Sequence, residues 1–144
     1  MTKGRVPDEL APAAFHAAVA AHPLLACVAH RGPYAACATA VAPLLAGATP
    51  WHWTRIDLDA APEIAAMFGI DGPAPWLLVM REQVVLYREP LSAKPPAETR
   101  ALIDRAAGLD MAAVHDAVAA RRRALDSLHM RRVCPTALRG PGPG

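Results

Sequence analysis

The sequence predicts an α/β fold in which helices flank a mixed sheet. Short apolar or alternating runs follow segments with helical spacing, glycines and prolines separate them, and the last two strand-like runs are joined by a tight turn. The length of 144 residues fits one main domain. Hydrophobic residues make up 53% of the chain, which excludes a disordered protein.

The first half of this fold begins with a helix, a strand and a second helix. Residues 8–22 place apolar side chains near helical spacing and are followed by a proline, so we expect a helix there. The run 24–29 is short and apolar, as is typical of a buried strand. Pro33 suits the first turn of a helix that continues to about Leu45 and is bent by Pro43.

A second strand and a short helix follow. Residues 52–58 alternate in polarity and predict a strand. Pro62 fits the first turn of the helix and Gly69 its end. The residues expected on the inner face of this helix are Ile64, Met67 and Phe68.

Two strands and a helix complete the main domain, which we expect to cover residues 1–108. The runs 76–80 and 84–87 are separated by a three-residue turn and predict antiparallel partners. Prolines open a helix at position 95, which extends to about Ala107 before a glycine.

The C-terminal part is expected to add an amphipathic helix over 109–132 and a flexible, Pro/Gly-rich tail over 133–144. Residues 111–144 carry six basic and two acidic side chains, so the positive charge is concentrated there. The apolar residues of the helix follow a spacing of 3-4-7-3, like a helix-pairing seam: Met111, Val114, Val118, Leu125 and Leu128.

Composition also narrows the function. A net charge of +2 argues against nucleic-acid binding driven by bulk charge. The polar opening and the absence of a membrane-length apolar run predict a cytoplasmic protein that has no signal peptide and does not bind membranes. The three cysteines form no Cys-x-x-Cys pair and the six histidines show no ligand spacing, so we expect neither a metal nor another cofactor.

Four segments carry a resemblance to a known family. His30-Arg31-Gly32-Pro33-Tyr34 lies at a strand-to-helix turn, Arg55-Ile-Asp-Leu-Asp59 ends a strand, Phe68-Gly69-Ile70 ends a helix, and Ala74-Pro75-Trp76 precedes a strand. In this order and spacing they resemble the thioredoxin-like superfamily over residues 8–107. The resemblance implies a central mixed sheet of four to five strands flanked by helices.

The resemblance also implies a place for two catalytic thiols that this chain lacks. Arg31 and Tyr34 stand where thioredoxins have the cysteines of Cys-Gly-Pro-Cys, and Leu25 stands at the position of the family's buried aspartate. Dithiol exchange needs an attacking thiolate and a resolving thiol. We therefore predict a divergent, redox-inactive member of the superfamily.

The leading hypothesis is a protein-binding module, either an adaptor, a chaperone-like assembly factor or an accessory subunit. In the family, the backbone beside a cis-proline pairs with an extended partner segment, and this contact needs no cysteine. The resemblance implies Pro75 as that proline, with Tyr34 and Trp76 as an aromatic platform across the groove. The expected partner-binding residues are Arg31, Tyr34, Ala74, Pro75 and Trp76 in the groove, and Arg121, Arg122 and Leu125 on the C-terminal helix.

Other interpretations stay open, including self-association. A monothiol oxidoreductase or a peroxidase could use Cys37 or Cys134, although Cys37 is more simply explained as a small buried residue and Cys134 as an idle tail cysteine. Arg31 and His30 at a helix start also suit a small anion or, at Arg31, glutathione.

Overall fold

The computed structural model describes residues 6–46 and 49–133, with the side chains of the last helix described through Leu128. The chain divides after Gly108 into two compact units. In the described part, the strands are β1 (Asp8–Glu9), β2 (Leu24–His30), β3 (His52–Asp57), β4 (Trp76–Arg81) and β5 (Val84–Pro90). The α-helices are α1 (Phe15–Ala21), α2 (Ala38–Leu45), α3 (Pro62–Phe68), α4 (Pro96–Ala107) and α5 (Met111–Val133), and 3-10 turns cover Pro12–Ala14, Tyr34–Ala36 and Leu91–Ala93.

The strands form one mixed sheet in the order β1-β3-β2-β4-β5. β3 runs parallel to both β1 and β2, whereas β4 is antiparallel to β2 and to β5. In the β2–β3 register His30 lies beside Asp57, so both strands end at the same edge. This arrangement confirms the predicted fold class and brings the turns after β2 and β3 together.

Successive residues of the central strand β2 point to opposite faces of the sheet, and each face has its own core. Cys27 belongs to the cluster that α1 and α3 cover, which we call the first face. Val28 belongs to the cluster that α2 and α4 cover, which we call the second face. Burial on both faces explains why β2 reads as a continuous apolar run.

The predicted first helix is wrong in its first half. Asp8 and Glu9 instead form a short strand against β3, and the Leu10 amide donates to the Arg55 carbonyl at 2.8 Å. Pro12 opens a 3-10 turn, and the α-helix begins only at Phe15. The ladder with β3 satisfies backbone groups that an exposed helix start would leave unpaired.

The inner face of α3 was predicted correctly except at Met67, whose side chain is 52% exposed. Ile64, Ala65 and Phe68 are buried and define the inner face. Met67 lies about 100° around the helix from the centre of that face. Gly69 ends α3 as predicted, in the left-handed conformation at φ 64°.

Other elements differ from the prediction mainly in their bounds. Pro33 precedes a 3-10 turn, so α2 begins five residues later at Ala38. β5 continues to Pro90, and α4 and α5 lie close to their predicted positions. No helix in the described ranges is long and apolar enough to span a membrane. The predicted tail overlaps α5 at Val133, and its remaining residues, Cys134 included, lie outside the described residues.

Candidate functional site

The turn that follows β2 is fixed by a carboxylate from the turn after β3. The Gly32 amide donates to Asp59 Oδ2 at 2.8 Å, and the Asp59 amide donates to Asp57 Oδ1 at 2.9 Å. Gly32 has φ 69°, a left-handed conformation that favours glycine. The two strand ends are therefore held together at the position where the resemblance placed the catalytic motif.

Arg31 is anchored to its own chain. Its Nε donates to the Gly72 carbonyl at 3.0 Å and its Nη2 to the Ile70 carbonyl at 3.4 Å, while Nη1 lies 3.5 Å from Asp59 Oδ1. The guanidinium thus joins the loop before β4 to the turn after β3. Its charge already faces a carboxylate, which weakens the case for an anion or glutathione site at this residue.

Tyr34 is anchored on the second face of the sheet. Its ring meets His30 edge-on, with ring centroids 5.7 Å apart, and the Arg55 guanidinium carbon lies 5.0 Å from the Tyr34 ring centroid. Trp76 instead packs against the core of the first face. The predicted aromatic platform of Tyr34 and Trp76 is therefore wrong, because the sheet separates the two rings.

The Ala74–Pro75 peptide bond is trans, since the described residues contain no cis peptide bond. The predicted cis-proline is wrong. A trans bond before proline is favoured by about 0.5–1 kcal/mol unless the surrounding structure imposes cis. The Pro75 carbonyl accepts a hydrogen bond from the Leu91 amide at 2.9 Å, so it is paired with the chain's own backbone.

A pocket of about 400 Å³ lies between α2, the residues around β4 and β5, and the turn over residues 30–34, which we call the motif turn. Of the residues predicted to bind a partner in the groove, Arg31 and Pro75 line this pocket, whereas Tyr34, Ala74 and Trp76 are not among its lining residues. Most of the lining was not predicted from the sequence. The described lining consists of Pro33, Pro73 and Pro75, Ala36 and Ala40, His30, Arg31 and Cys37, and Leu91 and Ser92.

His30 lines the pocket although its side chain is only 3% exposed. Its Nδ1 lies 2.9 Å from the Gly32 carbonyl oxygen. Its Nε2 is buried without a hydrogen-bond partner in the part of the chain that the structure describes. The sequence indicated His30 together with Arg31 as a candidate anion site.

Cys37 also lines the pocket, and its surroundings favour the neutral thiol over the thiolate. The side chain is buried, and Sγ donates to the Tyr34 carbonyl at 3.3 Å. Burial raises the pKa of the Cys37 thiol. Cys27 belongs to the opposite core, so the sheet separates these two cysteines, which are both unpaired among the residues that the structure describes.

The predicted contact residues of α5 belong to the second unit. Arg121, Arg122 and Leu125 are exposed there. Over the residues described, no group of three histidine, cysteine or acidic side chains is placed to hold a metal ion.

Solved structures share this arrangement of strands and helices. Thioredoxin f2 of Chlamydomonas reinhardtii superimposes with a TM-score of 0.59 at 14% identity, covering 73% of this chain and 100% of that protein. A mutant thioredoxin of Halobacterium salinarum gives 0.57 at 15% identity, covering 73% and 94%. The chain has the thioredoxin fold. A third structure with this fold, the thioredoxin of Trypanosoma brucei brucei, gives 0.58 at 11% identity, covering 75% and 96%.

Sequence similarity to this thioredoxin-fold chain is local. A Streptomyces coelicolor protein named "Putative thioredoxin 2" is 42% identical over 65 residues, which are 45% of this chain and 47% of that protein. This chain therefore matches about half the length of that relative. No protein-family model matches the chain.

Proposed function

We propose that this chain is a redox-inactive thioredoxin-fold module that binds an extended segment of a partner protein in the pocket beside Arg31. One combined observation carries the proposal: an open pocket lies beside the motif turn, and the two residues that stand at the cysteine positions of thioredoxins are held by contacts within the chain. Arg31 binds the loop before β4, and Tyr34 packs between His30 and Arg55. The proposal is thus supported by a pocket that lies beside side chains that cannot form a disulfide.

The thiol in the pocket supports binding better than thiol chemistry. Cys37 has a raised pKa and donates its proton to a backbone carbonyl, so the thiolate that attacks disulfides and peroxides is disfavoured. This argues against a monothiol oxidoreductase or peroxidase at Cys37. The same alternative at Cys134 concerns a residue outside the described part of the chain.

The pocket is suited to a ligand that enters with little rearrangement. Its volume falls within the range of about 300–1,000 Å³ that ligand pockets occupy. Pro33, Pro73 and Pro75 line it, and proline has a fixed φ. Because these prolines lose little conformational entropy when a ligand binds, a larger share of the contact free energy contributes to the affinity.

The proposal includes an adaptor, chaperone-like or accessory-subunit role in the cytoplasm of a bacterium. The unpaired Cys27 and Cys37 fit a reducing compartment, and the 42% identical relative comes from a bacterium. Arg121, Arg122 and Leu125 offer a second contact suited to an acidic segment with apolar side chains.

A pair of variants tests the pocket directly. Ala35 and Ala36 are exposed neighbours in one 3-10 turn, but only Ala36 lines the pocket. Peptides selected from a displayed random library on the full-length chain should bind the Ala36→Trp variant at least tenfold more weakly. They should bind Ala35→Trp within about threefold of the unmodified chain. Equal binding to all three proteins would contradict the proposal.

A further inference from the structure

We propose that α5 binds an amphipathic helix of a partner protein, one whose apolar side is flanked by acidic side chains. The inference rests on the second contact of the proposed function and is independent of the pocket beside Arg31. It depends on the exposure of α5, on the spacing of its apolar side chains and on where its charged residues lie around the helix.

The apolar side of α5 is uncovered. Every residue from His115 to Leu128 is exposed, and three of them carry large apolar side chains at a spacing of seven and three residues. Val118 is 37% exposed, Leu125 56% and Leu128 51%. This spacing places them on one side of the helix, which we call the α5 seam. Since a helix in a protein is stabilised mainly by burying such a side, the seam is suited to be covered by a partner.

The α5 seam suits a helix better than an extended segment. Backbone N–H and C=O groups inside a helix are bonded to each other, so α5 offers no partners to the backbone of an extended segment. The buried backbone groups of such a segment would stay unpaired, which costs free energy. A helix brings its backbone groups already paired, and its side chains pack between those of the seam.

The charged residues on the side of the seam are arginines. At about 100° per residue, Arg121 lies within the seam and Arg122 about 70° from its centre. The acidic residues of the exposed stretch, Asp116 and Asp126, lie about 170° and about 110° from the centre. Acidic side chains that flank the apolar side of a partner helix would therefore meet arginines rather than carboxylates.

The same charges argue against a second copy of α5 as the occupant. In a parallel pair, Arg121 of each copy would face Arg121 of the other. The antiparallel register that joins Val118 to Leu125 would place Arg121 opposite Arg122. Like charges that face each other across an interface are unfavourable, so the partner is a different, acidic helix.

The test compares two synthetic helices that differ in their flanking charge. Both are three-heptad peptides with leucine at positions a and d, and they carry either glutamate or lysine at positions e and g. In fluorescence anisotropy titrations with the full-length chain, we expect the glutamate peptide to bind at least about tenfold more tightly. A central proline in the glutamate peptide should weaken its binding at least about tenfold, because proline breaks a helix. Equal binding in either comparison would overturn the inference.

Variants locate the contact on the seam. Arg122→Glu should weaken binding of the glutamate peptide at least about fivefold. Arg123→Glu makes the same charge change about 170° from the seam centre and should stay within about twofold of the unmodified chain. Leu125→Ala should likewise weaken binding, whereas Met67→Ala, at a similarly exposed apolar position on α3, should not. Equal effects within either pair of variants would contradict the placement of the helix on the seam.

Three further results separate this inference from other occupants and from the pocket. Dimerisation that Leu125→Ala abolishes would assign the seam to a second copy. Binding to phosphatidylserine vesicles without binding of either peptide would assign it to a membrane surface, and both results would refute the inference. The Ala36→Trp variant should bind the glutamate peptide like the unmodified chain, even where it loses library peptides from the pocket. Loss of the glutamate peptide on Ala36→Trp would place the helix in the pocket and refute the seam.

Discussion

At the scale of single residues, the side chains that replace the thioredoxin cysteines are structural anchors. Asp59 is central to this, because one carboxylate accepts the Gly32 amide and pairs with Arg31. The sequence suggested Arg31 as a contact for a partner or an anion. Its bonds to the Ile70 and Gly72 carbonyls depend on a loop about 40 residues away, which no local pattern shows.

Removing the Asp59 carboxylate should destabilise the motif turn. The Asp59→Ala variant loses an acceptor for a backbone amide and the partner of Arg31, which we expect to cost about 1–2 kcal/mol in the free energy of unfolding. Asp71→Ala, an exposed acidic position in the loop before β4, is the control and should change stability by less than about 0.5 kcal/mol. Urea unfolding at low salt measures both, and equal losses would contradict this role of Asp59.

Cys27 should make the protein less stable at alkaline pH. Burial raises the pKa of its thiol from the ordinary 9.0 to about 12. Between these values the unfolded chain releases a proton that the folded chain retains, so the free energy of unfolding falls as pH rises. The stability difference between the unmodified chain and Cys27→Ala should shrink above pH 9 by up to about 1.4 kcal/mol per pH unit.

Val28→Ala is the matched control for that measurement. It truncates the neighbouring buried side chain in β2 without removing a titratable group. Its stability difference from the unmodified chain should be independent of pH over the same interval. A parallel pH dependence for both variants would show that the Cys27 thiol is not the source of the alkaline loss.

Cys37 should react slowly in the folded protein. In a Cys134→Ser background, the cysteines left to react are Cys27 and Cys37, and both are buried. With iodoacetamide at pH 7, we expect modification of Cys37 to be at least a hundredfold slower than in urea, because burial and a raised pKa both reduce attack. Rapid native-state alkylation, read by mass spectrometry, would favour the monothiol enzyme instead.

At the scale of secondary-structure elements, the ends of helices were predicted best. Gly69 and Gly108 end their helices at the predicted positions. The errors occurred where tertiary contacts decide: β1 depends on pairing with β3, and the exposure of Met67 depends on which side of α3 meets the sheet. The isomer of the Pro75 peptide bond likewise depends on the surrounding loop.

The two helix-ending glycines should respond differently to alanine. Gly69 has φ 64°, where a Cβ is strained, so Gly69→Ala should cost about 1 kcal/mol in the free energy of unfolding. Gly108 has φ −99°, and a Cβ there would meet only an ordinary contact at 3.7 Å, so Gly108→Ala should change stability by less than about 0.5 kcal/mol. Thermal unfolding compares the two, and an equal cost would contradict the role of the left-handed cap.

At the scale of the whole molecule, the site is assembled from segments that are distant in the sequence. The motif turn and α2 could be placed from the chain alone, since glycine and proline mark them. Leu91 and Ser92 could not, because their position follows from the pairing of β5 with β4 and the bond from the Leu91 amide to Pro75. The sequence therefore predicted the fold and the positions of Arg31, Cys37 and Pro75, but not most of the pocket lining.

The central claim, that the pocket binds a partner segment without thiol chemistry, is tested most directly by mapping where a bound peptide lies. The ¹⁵N-labelled full-length chain is titrated with a library-selected peptide and followed through its backbone amide resonances. We predict that the largest shifts occur at pocket-lining residues, namely Arg31, Ala36, Cys37, Ala40, Leu91 and Ser92. Shifts confined to α5 or to the first face of the sheet, with these six amides unmoved at saturation, would contradict the account.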